Sequence, residues 1–150
     1  MTLLPATSVY KERVLPSIYF YIASITLPVS LLLVALPFSE IVSISLALGS
    51  IPAVLVLSWL ASPLISVTES DLSIGQVSIE TKFLGKAEVV SPQDSFQERG
   101  VNLDSRAFTK FQIGVKQLVK IEITDPADPT PYWLIATRNP EVVAALINKR

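Results

Sequence analysis

Two aspartates three residues apart, Asp125 and Asp128, each precede a proline in the string DPADPTPYW, Asp125 to Trp133. Carboxylates at that spacing suit a divalent cation or a phosphoryl group, and Asp104, Arg106 and Tyr132 could join them if the fold brought them together. The competing reading is local. A residue before proline is pushed toward extended or turn geometry, and an aspartate there can accept backbone amides in an Asx-turn. With only two carboxylates close in sequence, the Pro126 and Pro129 segment is expected to be a stiff turn that binds no metal.

The rest of the chemical inventory is thin. The 150 residues contain no cysteine and no histidine. Disulfides, thiolate nucleophiles, the commonest metal ligand and the commonest neutral-pH general base are all missing. No cofactor motif stands out and no catalytic residue is assigned, so a non-enzymatic role is favoured. The charges are also segregated. Of 25 Asp, Glu, Lys and Arg residues, only Lys11, Glu12, Arg13 and Glu40 precede Glu69. From Glu69 onward acidic and basic residues nearly balance, which leaves no basic stripe for nucleic acid.

The apolar half accounts for that segregation. Val14 to Ser39 and Ile41 to Thr68 are 26 and 28 consecutive uncharged residues. Each exceeds the ~20 residues that cross a bilayer core. A cleaved signal peptide is disfavoured for the first, whose apolar run is too long and lacks a small-x-small end. The link at 37–40 is so short that the spans form a hairpin (14–68). Lys11 and Arg13 on one flank and Lys82 and Lys86 on the other then predict both termini in the cytoplasm, with residues 1–13 as an N-terminal segment. The expected surroundings are the lipid bilayer of the plasma (inner) membrane, crossed twice. Pro28 and Pro52 free the carbonyls of Ser24 and Leu48 and predict kinks. Gly49 and Ala53, four apart, predict a small-residue face for the first span or for a partner's helix.

Beyond the hairpin the pattern changes to alternation, and 69–150 reads as a small α+β domain: an antiparallel sheet closed by a terminal helix. Ser91 with Pro92 predicts a short helix start and Gly100 its end. Val115 to Thr124 and Pro131 to Thr137 read as a strand pair. Placing Thr124 opposite Pro131 sets Val119, Ile121 and Ile123 against Ala136, Leu134 and Tyr132, and turns Lys120, Glu122, Trp133 and Ile135 to the other face. On that register Trp133 and Ile135, with Tyr132 and Arg138 nearby, form a contact patch for another membrane or membrane-associated protein. Asn139 and Pro140 start a final helix whose Val142, Val143, Leu146 and Ile147 make one apolar face.

The strings Tyr10 to Arg13 (Y-x-E-R), Phe83 to Gly85 (F-L-G) and Ile121 to Pro140, with its DPADPTPYW core and TR-x-P end, resemble the actinobacterial domain-of-unknown-function family 3093. The resemblance implies a two-helix membrane hairpin with a C-terminal PH-like domain, and it implies no chemistry. The chain departs from the family at Ser17 to Ile22, SIYFYI, where members often carry a Trp-rich tract; Tyr19 and Tyr21 are expected to serve there as interfacial anchors. The PH-like analogy also raises lipid or phosphate binding as the alternative role, with Lys82, Lys86, Lys116 and Lys120 as its basic cluster.

Overall fold

The structure is a computed structural model and describes residues 9–149. Residues 1–8 of the expected N-terminal segment, and Arg150, lie outside the described residues. Two units emerge: residues 9–14 with 63–149, and Leu15–Ser62. The boundaries differ from those expected, because Tyr10–Arg13 is a strand and the residues after Ser62 already belong to the same sheet.

In the sheet unit, β1 (Tyr10–Arg13), β2 (Leu64–Val67), β3 (Asp71–Ile74) and β4 (Val77–Glu80) form one antiparallel sheet in that order. β1 pairs with β2 from Tyr10↔Val67 to Arg13↔Leu64, and the Val14 amide donates to the Pro63 carbonyl at 3.0 Å. Ile65, Val67, Leu72 and Ile74 are buried, while Ser66 and Ser73 alternate with them. This period-two pattern is that of a sheet with one face on a core. Ile74↔Val77 closes a two-residue hairpin whose Gly75 has φ +65°, the left-handed conformation such turns require.

β5 (Leu84–Val90), β6 (Phe108–Lys110), β7 (Leu118–Ile123) and β8 (Tyr132–Ala136) form the second sheet, in the order β5-β7-β8-β6. β6 runs parallel to β8, so this sheet is mixed where an antiparallel meander was expected. A short helix, α4 (Ser95–Arg99), lies between β5 and β6. It starts three residues later than the Ser91-Pro92 reading, because Ser91 caps a turn through the Asp94 amide before the helix begins. A last helix, α5 (Pro140–Asn148), packs against β5 and β7. Its buried face is Val143, Ala144 and Ile147; Val142, expected there, is exposed.

The register of β7 and β8 is one residue away from the one expected. Val119 faces Ile135, Ile121 faces Trp133 and Glu122 faces Tyr132. The turn closes by the Ile123 amide on the Pro131 carbonyl, while Thr124 leaves the ladder and donates its amide to Phe83 at 2.8 Å. Alternation could not signal this. Leu118, Leu134 and Ala136 are buried on one face and Val119, Ile121, Trp133 and Ile135 on the other, so both faces carry apolar residues. Trp133 and Ile135 are therefore core, 3% and 0% exposed, and Trp133 stacks on Phe108 at 4.7 Å between ring centroids.

In the hairpin unit, α1 (Ile18–Ser24) and α2 (Thr26–Ala35) make the first apolar segment and α3 (Glu40–Ala61) the second. The break at Ile25 lies one turn before Pro28, which has no amide to offer the Ser24 carbonyl. Pro52 leaves α3 unbroken. The α2–α3 contact does not use Gly49 and Ala53, both of which are exposed. A Cβ at Gly49 would meet nothing within 4 Å. The buried residues of α3 are Ser43, Ser50 and Ser58, with Ala47 and Val54 half-buried between them, an inward stripe at spacings of three and four. Serine occupies that seam because its hydroxyl folds back on its own helix: Ser43 on Glu40, Ser50 on Ala47 and Ser58 on Leu55. The side chain is then small and internally satisfied.

Trp133→Ala should destabilise the purified full-length protein by about 3–5 kcal/mol as a buried aromatic, whereas Val142→Ala should stay within about 0.5 kcal/mol as a surface change. Thermal unfolding in detergent separates the two; equal melting temperatures would place Trp133 outside the core.

Candidate functional site

Two strings far apart in sequence meet at one point. Glu12 on β1 accepts the Tyr10 hydroxyl at 2.7 Å and the Thr137 hydroxyl at 2.6 Å on one carboxylate oxygen, and the Arg138 amide at 2.9 Å on the other. Asn139 completes the ring, its side-chain amide on the Tyr10 hydroxyl at 3.2 Å and its backbone amide on the Thr137 hydroxyl at 3.1 Å. Burial and the Glu12 hydrogen bond push the Tyr10 phenol above its ordinary value. Thr137 is fully buried. The donors to this carboxylate come from its own fold, so the arrangement locks β1 to the β8–α5 junction and leaves little capacity for a substrate.

The DPADPTPYW segment is built from local bonds. Asp125 accepts the Ala127 amide and Asp128 the Thr130 amide, each at 2.9 Å, the Asx geometry. The Thr130 bonds hold the Asp128 carboxyl below the usual carboxylate range. Tyr132 then reaches out of the sheet: its hydroxyl accepts the Asp104 amide at 2.8 Å and contacts the Asn102 carbonyl at 3.3 Å, pinning the loop after α4. The Asp104 carboxylate is turned to Arg106, which grips it through two nitrogens and its own amide and holds its carboxyl at about 2. Of the five residues that an enzyme reading would assemble, Asp104, Arg106 and Tyr132 thus meet, with each polar group taken up by its neighbour, while Asp125 and Asp128 are held in their own turns. Among the described residues no group of three or more His, Cys, Asp or Glu could hold a metal.

Three of the four lysines expected to form a headgroup cluster are also occupied, and the fourth, Lys116, is exposed. Lys82 pairs with Glu80, Lys86 with Glu88, and Lys120 with Glu98 at 2.9 Å while lying over the Tyr132 ring. Gly85 allows the Glu122 side chain to pass close by; a Cβ there would come within 2.9 Å of a Glu122 oxygen. In the hairpin unit Tyr19 is exposed, whereas Tyr21 turns inward to Ser58 at 3.2 Å and so is no free anchor. The break before Pro28 opens a groove of about 220 Å³ lined by Tyr21, Ser24, Pro28, Ser50 and Val54. Sequence reasoning missed Gln112, Thr137 and Asn148, and read Asn139 only as a helix start, whereas its side chain makes no cap bond and goes to Tyr10. Asn148 is the least predictable: its amide donates to the Ala87 carbonyl and accepts the Ala87 amide, occupying the outer edge of β5 as a paired strand would.

These features define a class: a two-sheet domain with a C-terminal helix, into which an apolar helical hairpin is inserted between the first two strands. The chain belongs to the family described as Protein of unknown function (DUF3093), whose model matches residues 9–147. No curated protein and no solved structure matches it.

Two outcomes follow. The Asp125→Asn/Asp128→Asn double variant should melt within a degree or two of the parent, because an amide oxygen still accepts the turn bond, whereas the double Ala variant should melt several degrees lower. Mg²⁺-dependent stabilisation of the parent that is lost in the Asn variant would contradict the turn assignment. The Glu98 carboxyl is lowered, chiefly by the Lys120 hydrogen bond and then by Asn102. Its contribution to stability is therefore present above the ordinary carboxylate pKa and is lost as pH falls through the depressed folded value. Melting curves of Lys120→Met between pH 7 and pH 3 should show a smaller acid-induced drop than the parent; identical slopes would show the pair to be inert.

Proposed function

We infer that this protein is a membrane-tethered, non-enzymatic interaction module. The hairpin crosses the cytoplasmic membrane twice, both termini lie in the cytoplasm, and the PH-like sheet unit is presented to another membrane or membrane-associated protein. One observation carries the reading. The two apolar segments, 18 and 22 residues long, bury none of the first and only three serines of the second, so their leucines, isoleucines and valines face outward. An apolar surface of that extent is at home in hydrocarbon, and the serine hydroxyls bonded to their own helices suit the same medium.

The reading of the sheet unit as a binding module rests on what its polar groups do. The conspicuous carboxylates are engaged by neighbouring amides, hydroxyls or cations, which favours a scaffold over catalysis. Two sheets with a C-terminal helix support the PH-like comparison, and the parallel β6 is its main departure. The partner contact moves from Trp133 and Ile135, which are core, to Phe96 and Val101 on α4 and its C-terminal turn. These are 84% and 91% exposed, the kind of aromatic and aliphatic pair that anchors interfaces. The pairing of Lys82, Lys86 and Lys120 weighs against a phosphate-binding pocket built on that lysine cluster.

A photo-crosslinking phenylalanine analogue at Phe96 should give a discrete adduct in native membranes. Phe96→Ala/Val101→Ala should abolish co-purification of that partner while leaving the melting temperature and carbonate-resistant membrane residence unchanged. Loss of residence would show the pair to serve anchoring, and unchanged co-purification would place the contact elsewhere.

A further inference from the structure

We propose that the turn Gln112–Val115 is a membrane-surface contact of the sheet unit, with Ile113 entering the headgroup region and Lys110 and Lys116 flanking it toward lipid phosphates. The proposal rests on the hairpin lying in the bilayer. Its geometry starts at Val14, the last residue of the sheet unit before the first apolar helix. The buried Gln112 side chain donates to the Val14 carbonyl at 2.7 Å, across 98 residues of sequence, and so fixes the turn beside the point where the chain leaves. Only Leu15, Pro16 and Ser17 separate Val14 from α1, and only Ser62 separates α3 from Pro63. At a maximum of about 3.6 Å per residue, a bilayer holding those helices comes within roughly 14 Å of Val14 and closer still to Pro63.

The turn itself is shaped for such a contact. The Val115 amide donates to the Gln112 carbonyl at 3.1 Å, and Gly114 has φ +73°, which makes Ile113 the leading residue of a type II turn. That position favours proline and polar residues in water, yet here it carries an isoleucine 59% exposed. Arg99 braces the turn from behind, donating to the Val115 carbonyl and lying over the Phe111 ring at 4.8 Å. From Ser105 to Ile121 there is no acidic residue, while Arg106, Lys110, Lys116 and Lys120 are basic. Lys110 and Lys116 are exposed. An apolar tip between lysines, held beside the departure of a membrane helix, fits an anionic lipid surface, which attracts nearby basic side chains.

The chain has no cysteine, so single cysteines can report depth without background. The full-length protein would be reconstituted in phosphatidylglycerol-phosphatidylcholine vesicles with an environment-sensitive fluorophore at Ile113→Cys, Leu33→Cys or Ala127→Cys. Leu33 lies in α2. Ala127 lies in the β7–β8 loop, at the end of β8 opposite the one that β6 reaches at Lys110. Lipids brominated near the headgroup should quench the label at 113 and shift its emission to the blue, lipids brominated deep in the chain should quench the label at 33, and the label at 127 should respond to neither. A quenched label at 33 with a label at 113 as unresponsive as that at 127 would overturn this inference alone. An unquenched label at 33 would overturn the hairpin reading and this inference with it.

Discussion

The pairing of β1 with β2 is the constraint on which the rest depends. Four residue pairs from Tyr10↔Val67 to Arg13↔Leu64, extended by the Val14–Pro63 hydrogen bond, bring together two points 49 residues apart. Everything between them must leave from and return to the same place. In a membrane that permits only an even number of crossings, and two apolar segments with a short tip meet the condition. β1 carries two charged residues at its centre and its pairing alone would be weak. Glu12 compensates by drawing Tyr10, Thr137 and Arg138 onto one carboxylate, so the strand is bonded to β2 along its backbone and to the β8–α5 junction through its side chains. Breaking this would leave a buried hydroxyl at Thr137 without its acceptor, a penalty of about 1–3 kcal/mol.

What was legible in the sequence was whatever is encoded locally. Two long uncharged runs announced the hairpin and its tip. Pro28 announced the break in the first segment, and the Asp-Pro repeats announced turns whose bonds span two residues. The register of β7 and β8 was hidden because apolar residues occupy both faces, so a pattern of alternation had no single answer; Thr124, diverted to Phe83, decided it. The seam of α3 was misjudged for a related reason. Glycine and alanine suggested the close-packed face, but a serine whose hydroxyl returns to its own backbone is nearly as small and tolerates hydrocarbon, and Ser43, Ser50 and Ser58 share the buried face of α3, with Ser58 meeting Tyr21 of α1. β1 could not be seen at all, since four residues with three charges carry no strand signature without the partner that waits beyond the hairpin.

The candidate site was legible only as strings. Y-x-E-R and TR-x-P were marked as related to a family, and their meeting through Glu12 and Thr137 is a tertiary fact with a separation of 125 residues. The meaning of the meeting is mechanical. Glu12, Asp125 and Asp128 all hold backbone or hydroxyl donors in place, and Asp104 is gripped by Arg106, so the carboxylates that first suggested chemistry serve as fasteners. The surfaces left over are apolar: the outer faces of the hairpin, Phe96 with Val101, and Ile113 on its turn. These exposed apolar groups are what the proposed contacts with lipid and protein rest on.

The central claim, that the strand pair forces both sides of the hairpin onto one face of the membrane, is tested most directly by labelling with a membrane-impermeant maleimide in intact spheroplasts. Single cysteines would be placed at Lys11, Phe38 and Val142. The account predicts that Lys11→Cys and Val142→Cys behave alike, unreactive until the membrane is permeabilised, while Phe38→Cys at the tip reacts from outside. Opposite reactivity at positions 11 and 142 would contradict it, since no chain zipped from Tyr10 to Val67 can place those two residues across a bilayer.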